Sequence, residues 1–430
     1  MAHGSPAQPR RRPTRLRAAA LVCAGLALAG VTAAFGLSKL ESRPERSLTL
    51  WPHRAAPHLH LGQTALAGND LAAAALQGRQ ALERAPLSAR AFSLLGQTAL
   101  RQGDVPRTDA LMSAASRRSL RDAPSQAWIF ARGLERGDFA AALSAYDVLM
   151  RRRRDLGDAL SPLVFAAADR QPEARAALAQ RLALAPGWRP AFLAGYSRAT
   201  TEPAAVHAVI ASLRTTAHPP TDPEMRVYLD RLLRDRSYVA AYVAWAQHQP
   251  EAAGLAGVGV QDGGFESDPG LGPFGWQLTT GDGASAERAA LPSGVGFGLR
   301  AAVSGGLARR TIADQMIVLP TGDHELRGRA WLENGDADGR LIWSVQCEGA
   351  PRRVLAIVEP IARSQERWTA FQTAVVVPAD CPAQRLRLET RPGSSLAPVS
   401  VVFDDLEIRR QVRPASPLAA DAAVSVAGAQ

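Results

Sequence analysis

The chain has 430 residues, which is enough for two or three domains of ordinary size. Its hydrophobic fraction of 47% is normal for a globular protein and supports packed cores rather than general disorder. The net charge of +10 is unevenly spread, because residues 1–46 carry 8 basic and 2 acidic groups whereas residues 251–430 carry 17 and 21. A basic surface attracts nucleic acid, lipid or acidic polymers alike, so charge alone identifies no partner.

The first predicted element is residues 18–37, a run of 20 residues without charge. A helix of this length spans the roughly 30 Å hydrocarbon core of a bilayer, and arginines crowd its N-terminal side. We therefore expect a basic cytoplasmic tail (1–17), a single transmembrane helix and a linker (38–57). The bulk of the chain would lie in the periplasm, anchored in a bacterial inner membrane, with no nucleic acid as partner. The alternative is a cleavable signal peptide that ends near Val31-Thr32-Ala33, and it exports the chain equally.

Residues 58–250 show an internal period. Asp70, Asp104 and Asp138 recur every 34 residues, and each follows a turn that contains glycine. Such a glycine supplies a positive φ at a helix end, and the aspartate caps the helix that follows. The spacing resembles the tetratricopeptide repeat, which implies an α-solenoid of antiparallel helix pairs. A solenoid offers a concave surface for a partner protein, although the same repeat serves equally as a spacer.

From about residue 255 to residue 410 the helical periodicity stops, and turns rich in glycine separate short alternating segments. This pattern predicts an antiparallel β-sandwich or jelly roll, followed by a disordered tail (411–430). Cys347 and Cys381 both fall in this region, and a pair in an oxidising compartment predicts a disulfide bond, with two buried thiols as the alternative. The predicted strands are 297–303, 308–319, 324–333, 340–347, 353–361, 368–377, 384–391 and 399–410.

Three segments of this region, Gly263–Glu266, Phe274–Trp276 and Phe403–Ile408, resemble carbohydrate-binding modules of the galactose-binding-like jelly-roll group. The resemblance implies that the opening and closing strands lie side by side. It also implies a structural calcium ion held by Glu266 with Asp404 or Asp405, and no other cofactor. Calcium prefers several hard oxygen ligands, which carboxylates supply. The alternative is that these acids only solvate strand ends.

Sugar binding in such modules relies on exposed aromatic side chains that stack on a pyranose ring. Trp276 and Trp368 lie near strand starts and are the predicted carbohydrate-binding residues. Trp331 and Trp343 lie on strands beside leucine and valine, so we expect both to pack in the core.

The sequence contains no G-x-S-x-G, Walker, H-E-x-x-H or C-x-x-C motif, which favours a protein that is not an enzyme. The predicted fold is therefore a multidomain α + β chain with one transmembrane helix, an α-solenoid and a C-terminal jelly roll. The combination resembles accessory proteins of bacterial exopolysaccharide or capsule systems. It implies a non-catalytic scaffold that binds polysaccharide, or the proteins that assemble and export it. The alternative is a protein-interaction scaffold of an envelope complex without sugar binding.

Overall fold

The structure is a computed structural model that describes residues 53–249 and 259–411, except 269, 282, 305–308, 337–339, 350–352, 361–366 and 393–396. Contacts divide the chain into two compact units, Met1–Leu160 and Ser161–Gln430. The described N-terminal half is helical and the C-terminal half is a β-sandwich. The predicted domain ranges 58–250 and 255–410 stay predictions.

Short helices, connected by tight turns, make up the N-terminal half. Asp70, Asp104 and Asp138 each cap a helix, because each carboxylate accepts the backbone N–H of the residue three positions on. The predicted caps are therefore confirmed, and Gly103 and Gly137 adopt the positive φ that the turns require. The helices are α1 (Ala55–Ala67), α2 (Leu71–Arg84), α3 (Ala89–Arg101), α4 (Val105–Arg118), α5 (Ala123–Arg136), α6 (Phe139–Arg152), α7 (Gly157–Arg170), α8 (Pro172–Leu182), α9 (Arg189–Ala199), α10 (Pro203–Leu213), α11 (Asp222–Arg234) and α12 (Tyr238–His248).

In the part of the chain that the structure describes, no helix combines the length and the apolar character needed to cross a membrane. Its helices have 11 to 14 residues, or roughly 17–21 Å against a hydrocarbon core of about 30 Å. The predicted fold class with a transmembrane helix is wrong for the described residues, which form a helical half followed by a β-sandwich. The predicted single-pass inner-membrane localisation depended on that helix and is corrected with it. Residues 1–17 and 18–37 themselves, and residues 412–430 of the tail, lie outside the described residues.

Two antiparallel sheets form the C-terminal half. The five-stranded sheet has the order β1-β5-β10-β7-β8, and the six-stranded sheet has the order β2-β3-β4-β11-β6-β9. The predicted sandwich of jelly-roll type is confirmed. The strands are β1 (Gln277–Leu278), β2 (Thr280–Gly281), β3 (Ala284–Ala290), β4 (Phe297–Val303), β5 (Thr311–Ile317), β6 (Gly322–Asn334), β7 (Leu341–Cys347), β8 (Val354–Val358), β9 (Thr369–Val377), β10 (Gln384–Thr390) and β11 (Val399–Arg410).

The core of the sandwich lies between the two sheets. Burial alternates along β6: Leu326, Ala330 and Leu332 face the core, as does the backbone at Gly328. The alternate residues Arg327, Arg329 and Trp331 face outward. Trp343 and Phe403 meet edge to face inside this core with ring centroids 5.5 Å apart. Alternation therefore fixes which side chains of β6 reach solvent.

The predicted disulfide bond between Cys347 and Cys381 is confirmed, with Cα atoms 5.6 Å apart. It closes a loop with a sequence separation of 34.

Reduction of this disulfide bond should lower the free energy of unfolding by about 3–4 kcal/mol, because the unfolded chain regains the conformational entropy that the closed loop removes. Denaturant unfolding with and without reductant measures this. A double serine variant is the control and should not respond to reductant; an equally stable reduced protein would contradict the expectation.

A buried ion pair connects α9 and α11. Arg189 Nη2 lies 2.8 Å from Glu224 Oε2, and both side chains are only 4% exposed.

Glu224→Ala leaves the arginine charge buried without its carboxylate partner and should lower the free energy of unfolding by about 3–5 kcal/mol. The matched control is Asp155→Ala, which removes an exposed partner of Arg153 and should cost less than about 1 kcal/mol. Equal losses in denaturant unfolding of the two variants would refute a structural role for the buried pair.

Candidate functional site

An irregularity in β11 shapes the outer face of the six-stranded sheet. Asp404 pairs with Arg329 and Glu407 pairs with Arg327, so β11 uses one residue more than β6 over the same distance. This is a β-bulge, a feature that often re-aims a side chain beside a functional site. Asp405 takes a left-handed φ of 53° at the bulge, and its side chain is 65% exposed. The bulge therefore presents one carboxylate to solvent.

The segment that opens the sandwich lies directly against this bulge. The backbone N–H of Leu406 donates to the carbonyl of Gly263 at 2.9 Å. A Cβ at Gly263 would lie 1.8 Å from the Leu406 carbonyl oxygen, so only glycine permits this approach. The expected neighbourhood of the opening and closing segments is confirmed.

Asp262 shapes the loop that carries Glu266. Its carboxylate accepts the backbone N–H groups of Glu266 at 2.9 Å and Ser267 at 3.0 Å. Burial raises the pKa of Asp262, and these two hydrogen bonds act in the opposite direction. Glu266 itself is exposed, and its Oε1 accepts the backbone N–H of Phe297 at 3.1 Å. The loop thus holds a second carboxylate near the bulge.

Arg329 lies at the centre of the site. Its Nη2 is 2.6 Å from Asp404 Oδ2, and its Nε is 2.9 Å from Asp405 Oδ2. Its guanidinium also lies over the ring of Trp368, 4.5 Å from the centroid. Burial raises the pKa of Asp404, although the hydrogen bond from Arg329 lowers it. These contacts fix the guanidinium plane against one aromatic ring.

Trp331 and Trp368 form a pair on the outer face of the same sheet. The register of β6 and β9 places Trp368 opposite Trp331, one position before the Thr369–Ala330 pair. The two rings meet at a centroid distance of 5.7 Å and an interplanar angle of 61°, and both are partly exposed. This tryptophan pair lies next to Arg329 on β6, so aromatic surface and charged groups share one face.

A groove of about 730 Å³ adjoins Arg329. Strands β6, β9 and β11 and the opening loop form its walls. Its volume lies within the range of small-ligand clefts. The polar side chains that line it are Asp262, Glu266, Arg327, Arg329, Gln372, Asp405, Glu407 and Arg409.

The predicted site residues divide into two groups. Glu266, Asp404, Asp405 and Trp368 meet around Arg329 and the groove. Trp276 is instead in the core, 3% exposed, where its Nε1 donates to the Asp262 carbonyl at 3.0 Å. A ring in that position offers no face to a sugar.

Sequence reasoning missed two residues of this site. Trp331 was expected in the core but faces outward, and Arg329 has the same parity on β6. The alternation of β6 from Leu326 to Leu332 was the signal that would have placed both on one face. The expectation for Trp343, which is fully buried, is confirmed.

The residues do not fit the predicted calcium ion well. Among the described residues, no three histidine, cysteine, aspartate or glutamate side chains are grouped closely enough to hold a metal. A guanidinium, rather than a cation site, occupies the space between Asp404 and Asp405. The negative charges of Asp404 and Asp405 are thus compensated by the guanidinium of Arg329.

The outer face of the five-stranded sheet is a different kind of surface. Its polar and charged side chains bond to one another, as in the 3.0 Å hydrogen bonds from Ser344 to Glu389 and from Arg385 to Glu348. Within the described strands of this sheet the one aromatic residue, Trp343, faces the core. This face therefore lacks a ring on which a ligand could stack.

The chain matches no protein-family model, and no curated protein is similar to it in sequence. The solved structures that it resembles include carbohydrate-binding modules. A CBM4 structure has a TM-score of 0.28 and 17% identity, and the match covers 35% of this chain and 99% of that one. The CBM22-1 xylan-binding domain of Paenibacillus barcinonensis Xyn10C has a TM-score of 0.26 and 16% identity over 36% and 98%.

The N-terminal cellulose-binding domain of Cellulomonas fimi β-1,4-glucanase C has a TM-score of 0.25 and 19% identity, over 37% of this chain and 97% of that one. Similarity at these TM-scores and identities is too low to assign a function.

The contact of Gly263 with the bulge provides a direct test of the site's construction. Gly263→Ala forces a Cβ into the Leu406 carbonyl and should destabilise the sandwich by about 1–3 kcal/mol. Gly281→Ala is the matched control, since a Cβ there meets no atom within 4 Å. Thermal unfolding of both variants measures the difference. A Gly263→Ala protein as stable as the control would show that the loop does not dock on β11.

Proposed function

We propose that this protein binds carbohydrate without catalysis, through the tryptophan pair and the groove beside Arg329. The observation that carries the proposal is the partial exposure of two adjacent tryptophans on the outer face of a sheet. Aromatic rings suit the apolar face of a pyranose, because they offer a large, rigid contact at low entropic cost. Trp331 and Trp368 would stack on sugar rings.

Polar groups that line the groove beside Arg329 would bind the sugar hydroxyls. Gln372 offers both donor and acceptor atoms, and Asp405 offers acceptors. Arg329 is held by Asp404 and Asp405, so little side-chain freedom is lost when it donates to a ligand. A small number of fixed polar groups beside apolar surface is the usual composition of a ligand site.

The absence of catalysis is part of the proposal. Glycoside hydrolysis needs one carboxylic acid that protonates the leaving group and a second carboxylate across the bond. Burial raises the pKa of Asp404 and of Asp262, but the oxygens of Asp404 accept from Arg329 and from the backbone of Asp405. The oxygens of Asp262 accept from the backbone N–H groups of Glu266 and Ser267. A carboxyl group held in this way cannot reach a glycosidic oxygen.

We further infer that the helical half binds a protein partner, as its resemblance to tetratricopeptide repeats implies. A groove of about 640 Å³ lies between helices α7, α9 and α10 and supports this role. Small side chains line it together with Asp169, Arg170 and Glu202. Bacterial exopolysaccharide assembly or export is the proposed pathway, and this finer assignment rests on the sequence resemblance.

Replacing either tryptophan of the pair tests the proposed function. Trp368→Ala and Trp331→Ala should each weaken oligosaccharide binding by about tenfold or more, because central aromatic contacts dominate binding energy. Calorimetric titration of the full chain with neutral and charged oligosaccharides measures the affinities. Thermal unfolding checks that both variants remain folded.

The control is Trp128→Ala, which removes a partly buried tryptophan of helix α5. It should leave oligosaccharide affinity unchanged. If the folded full chain binds none of the oligosaccharides, the carbohydrate assignment is wrong and a protein-interaction scaffold takes its place. If binding survives both replacements in the pair, the sugar binds elsewhere.

A further inference from the structure

Among the described strands, four lie at sheet edges, and three of these are short or irregular. Strands β1 and β2 have 2 residues each. Strand β8 has 5 residues, and its register on β7 shifts between Val345 and Gln346. Short and irregular edges protect a sheet, because they offer few aligned N–H and C=O groups to a further strand.

Strand β9 differs from the other three edges. It has 9 residues, Thr369–Val377, and pairs with β6 in an unbroken register. It contains no charged residue, glycine or proline. Val376 on its outer face is 58% exposed, and no other strand of the described residues pairs with its free side. A long, regular and uncharged edge is a template for a further strand.

The sequence of β9 suits antiparallel pairing with the same strand of a second copy. A two-fold axis at Thr373 places this residue opposite itself. Gln372 then lies opposite the second copy's Ala374. On the same face, Ala370 lies opposite Val376 and covers its exposed side chain. No like charges oppose one another along the paired strands, so nothing repels the second copy there.

The charges that flank β9 favour the same partner. Arg367 is the first charged residue before the strand, and Asp380 is the first after it. Both are exposed, the Asp380 side chain by 73%. Antiparallel pairing brings the start of one β9 beside the end of the other, so these opposite charges approach each other at both ends. A second copy of this chain therefore fits the free edge.

We propose that two copies of this chain pair through β9 and join their six-stranded sheets into one continuous sheet. The axis stands perpendicular to this sheet, so the outer faces of both copies, with their tryptophan pairs, lie on the same side. Each Trp368 lies opposite the second copy's Pro378, and these two residues are ten positions apart in one chain. At 3.4 Å per residue, the two Trp368 residues are about 34 Å apart along the strands.

For glycans, this inference rests on the proposed carbohydrate function. A polysaccharide that reaches both tryptophan pairs binds the second pair intramolecularly, which raises its apparent affinity. A trisaccharide is too short to reach both pairs and gains nothing from the dimer. The dimer therefore selects long glycan chains over short oligosaccharides.

Sedimentation equilibrium of the full chain without sugar tests the pairing at roughly 1–200 μM, since a small interface has dissociation constants in this range. We expect a monomer–dimer equilibrium. Ala374→Lys should weaken it by about fivefold, because the two lysines lie diagonally across the axis at about 7–8 Å. Gln372→Glu should weaken it similarly through two carboxylates. The double variant should restore the dimer, because each glutamate then faces the second copy's lysine.

The introduced charges are also accommodated within one copy. On β6, Glu325 lies opposite Ala374 and Arg327 lies opposite Gln372, so each new charge has an opposite charge beside it. Both variants should therefore remain folded, which thermal unfolding checks. The matched control is Val354→Lys, which adds a lysine to the edge strand β8 at a side chain that is 47% exposed. It should leave the dimer unchanged.

Calorimetry tests the selection of long chains, with cellotriose against hydroxyethyl cellulose and xylotriose against soluble xylan. At a concentration where the chain is dimeric, the polymer that binds should do so about tenfold more tightly than its trisaccharide. Ala374→Lys should keep the trisaccharide affinity and lose this gain, since Ala374 does not line the groove.

The outcomes separate the pairing from the carbohydrate function. A chain that stays monomeric, or a dimer that neither Ala374→Lys nor Gln372→Glu weakens, overturns the pairing and leaves the carbohydrate function standing. A dimer that binds no glycan overturns the carbohydrate function and leaves the pairing standing. Equal affinities for trisaccharide and polymer overturn the selection of long chains.

Discussion

The guanidinium of Arg329 lies between a buried carboxylate, an exposed carboxylate and an aromatic ring. Asp404 and Asp405 fix its position from β11, and Trp368 covers one of its faces. A lysine could not replace it, because a point charge lacks the planar fork that contacts two acids and stacks on a ring. The positions of Asp405 and Trp368 on the outer face of the six-stranded sheet are therefore linked through this single side chain.

The bulge makes that arrangement possible. Without the extra residue, β11 would continue in strict alternation, and Asp404 and Asp405 would point to opposite faces. With it, Leu406 returns to the core while Asp405 stays outside in the left-handed conformation. Gly263 completes the construction, since its missing side chain allows the opening loop to bond to Leu406. The β-bulge in β11 therefore places the carboxylates that pair with Arg329.

Much of the local structure follows from the sequence. Aspartates after glycine turns predict helix caps because a short carboxylate reaches the N–H three residues on, and Asp104 does so. The strand 297–303 is predicted with its observed bounds, since turn residues flank it. The resemblance brought Glu266 and Asp404 together, because opening and closing segments pair in that group.

The remainder depends on tertiary contacts that no local pattern encodes. Trp276 precedes a strand and was expected at the surface, but its ring packs on Phe265 and Trp343 inside the sandwich. The leucine next to Trp331 suggested that the Trp331 side chain is buried, whereas the alternation of β6 places that side chain on the outer face. The partnership of Arg329 with Asp404 spans 75 residues of sequence, so spacing gives no indication of it. The apolar segment 18–37 indicated a membrane anchor, and the described helices give that prediction no support.

The central claim is that sugar rings stack on Trp331 and Trp368. The most direct measurement is a crystal structure of the full chain with a bound oligosaccharide. We expect a pyranose ring against the tryptophan pair, with neighbouring sugar units along the groove towards Arg327. A sugar bound instead on the outer face of the five-stranded sheet, beside Arg385 and Glu348, would contradict it.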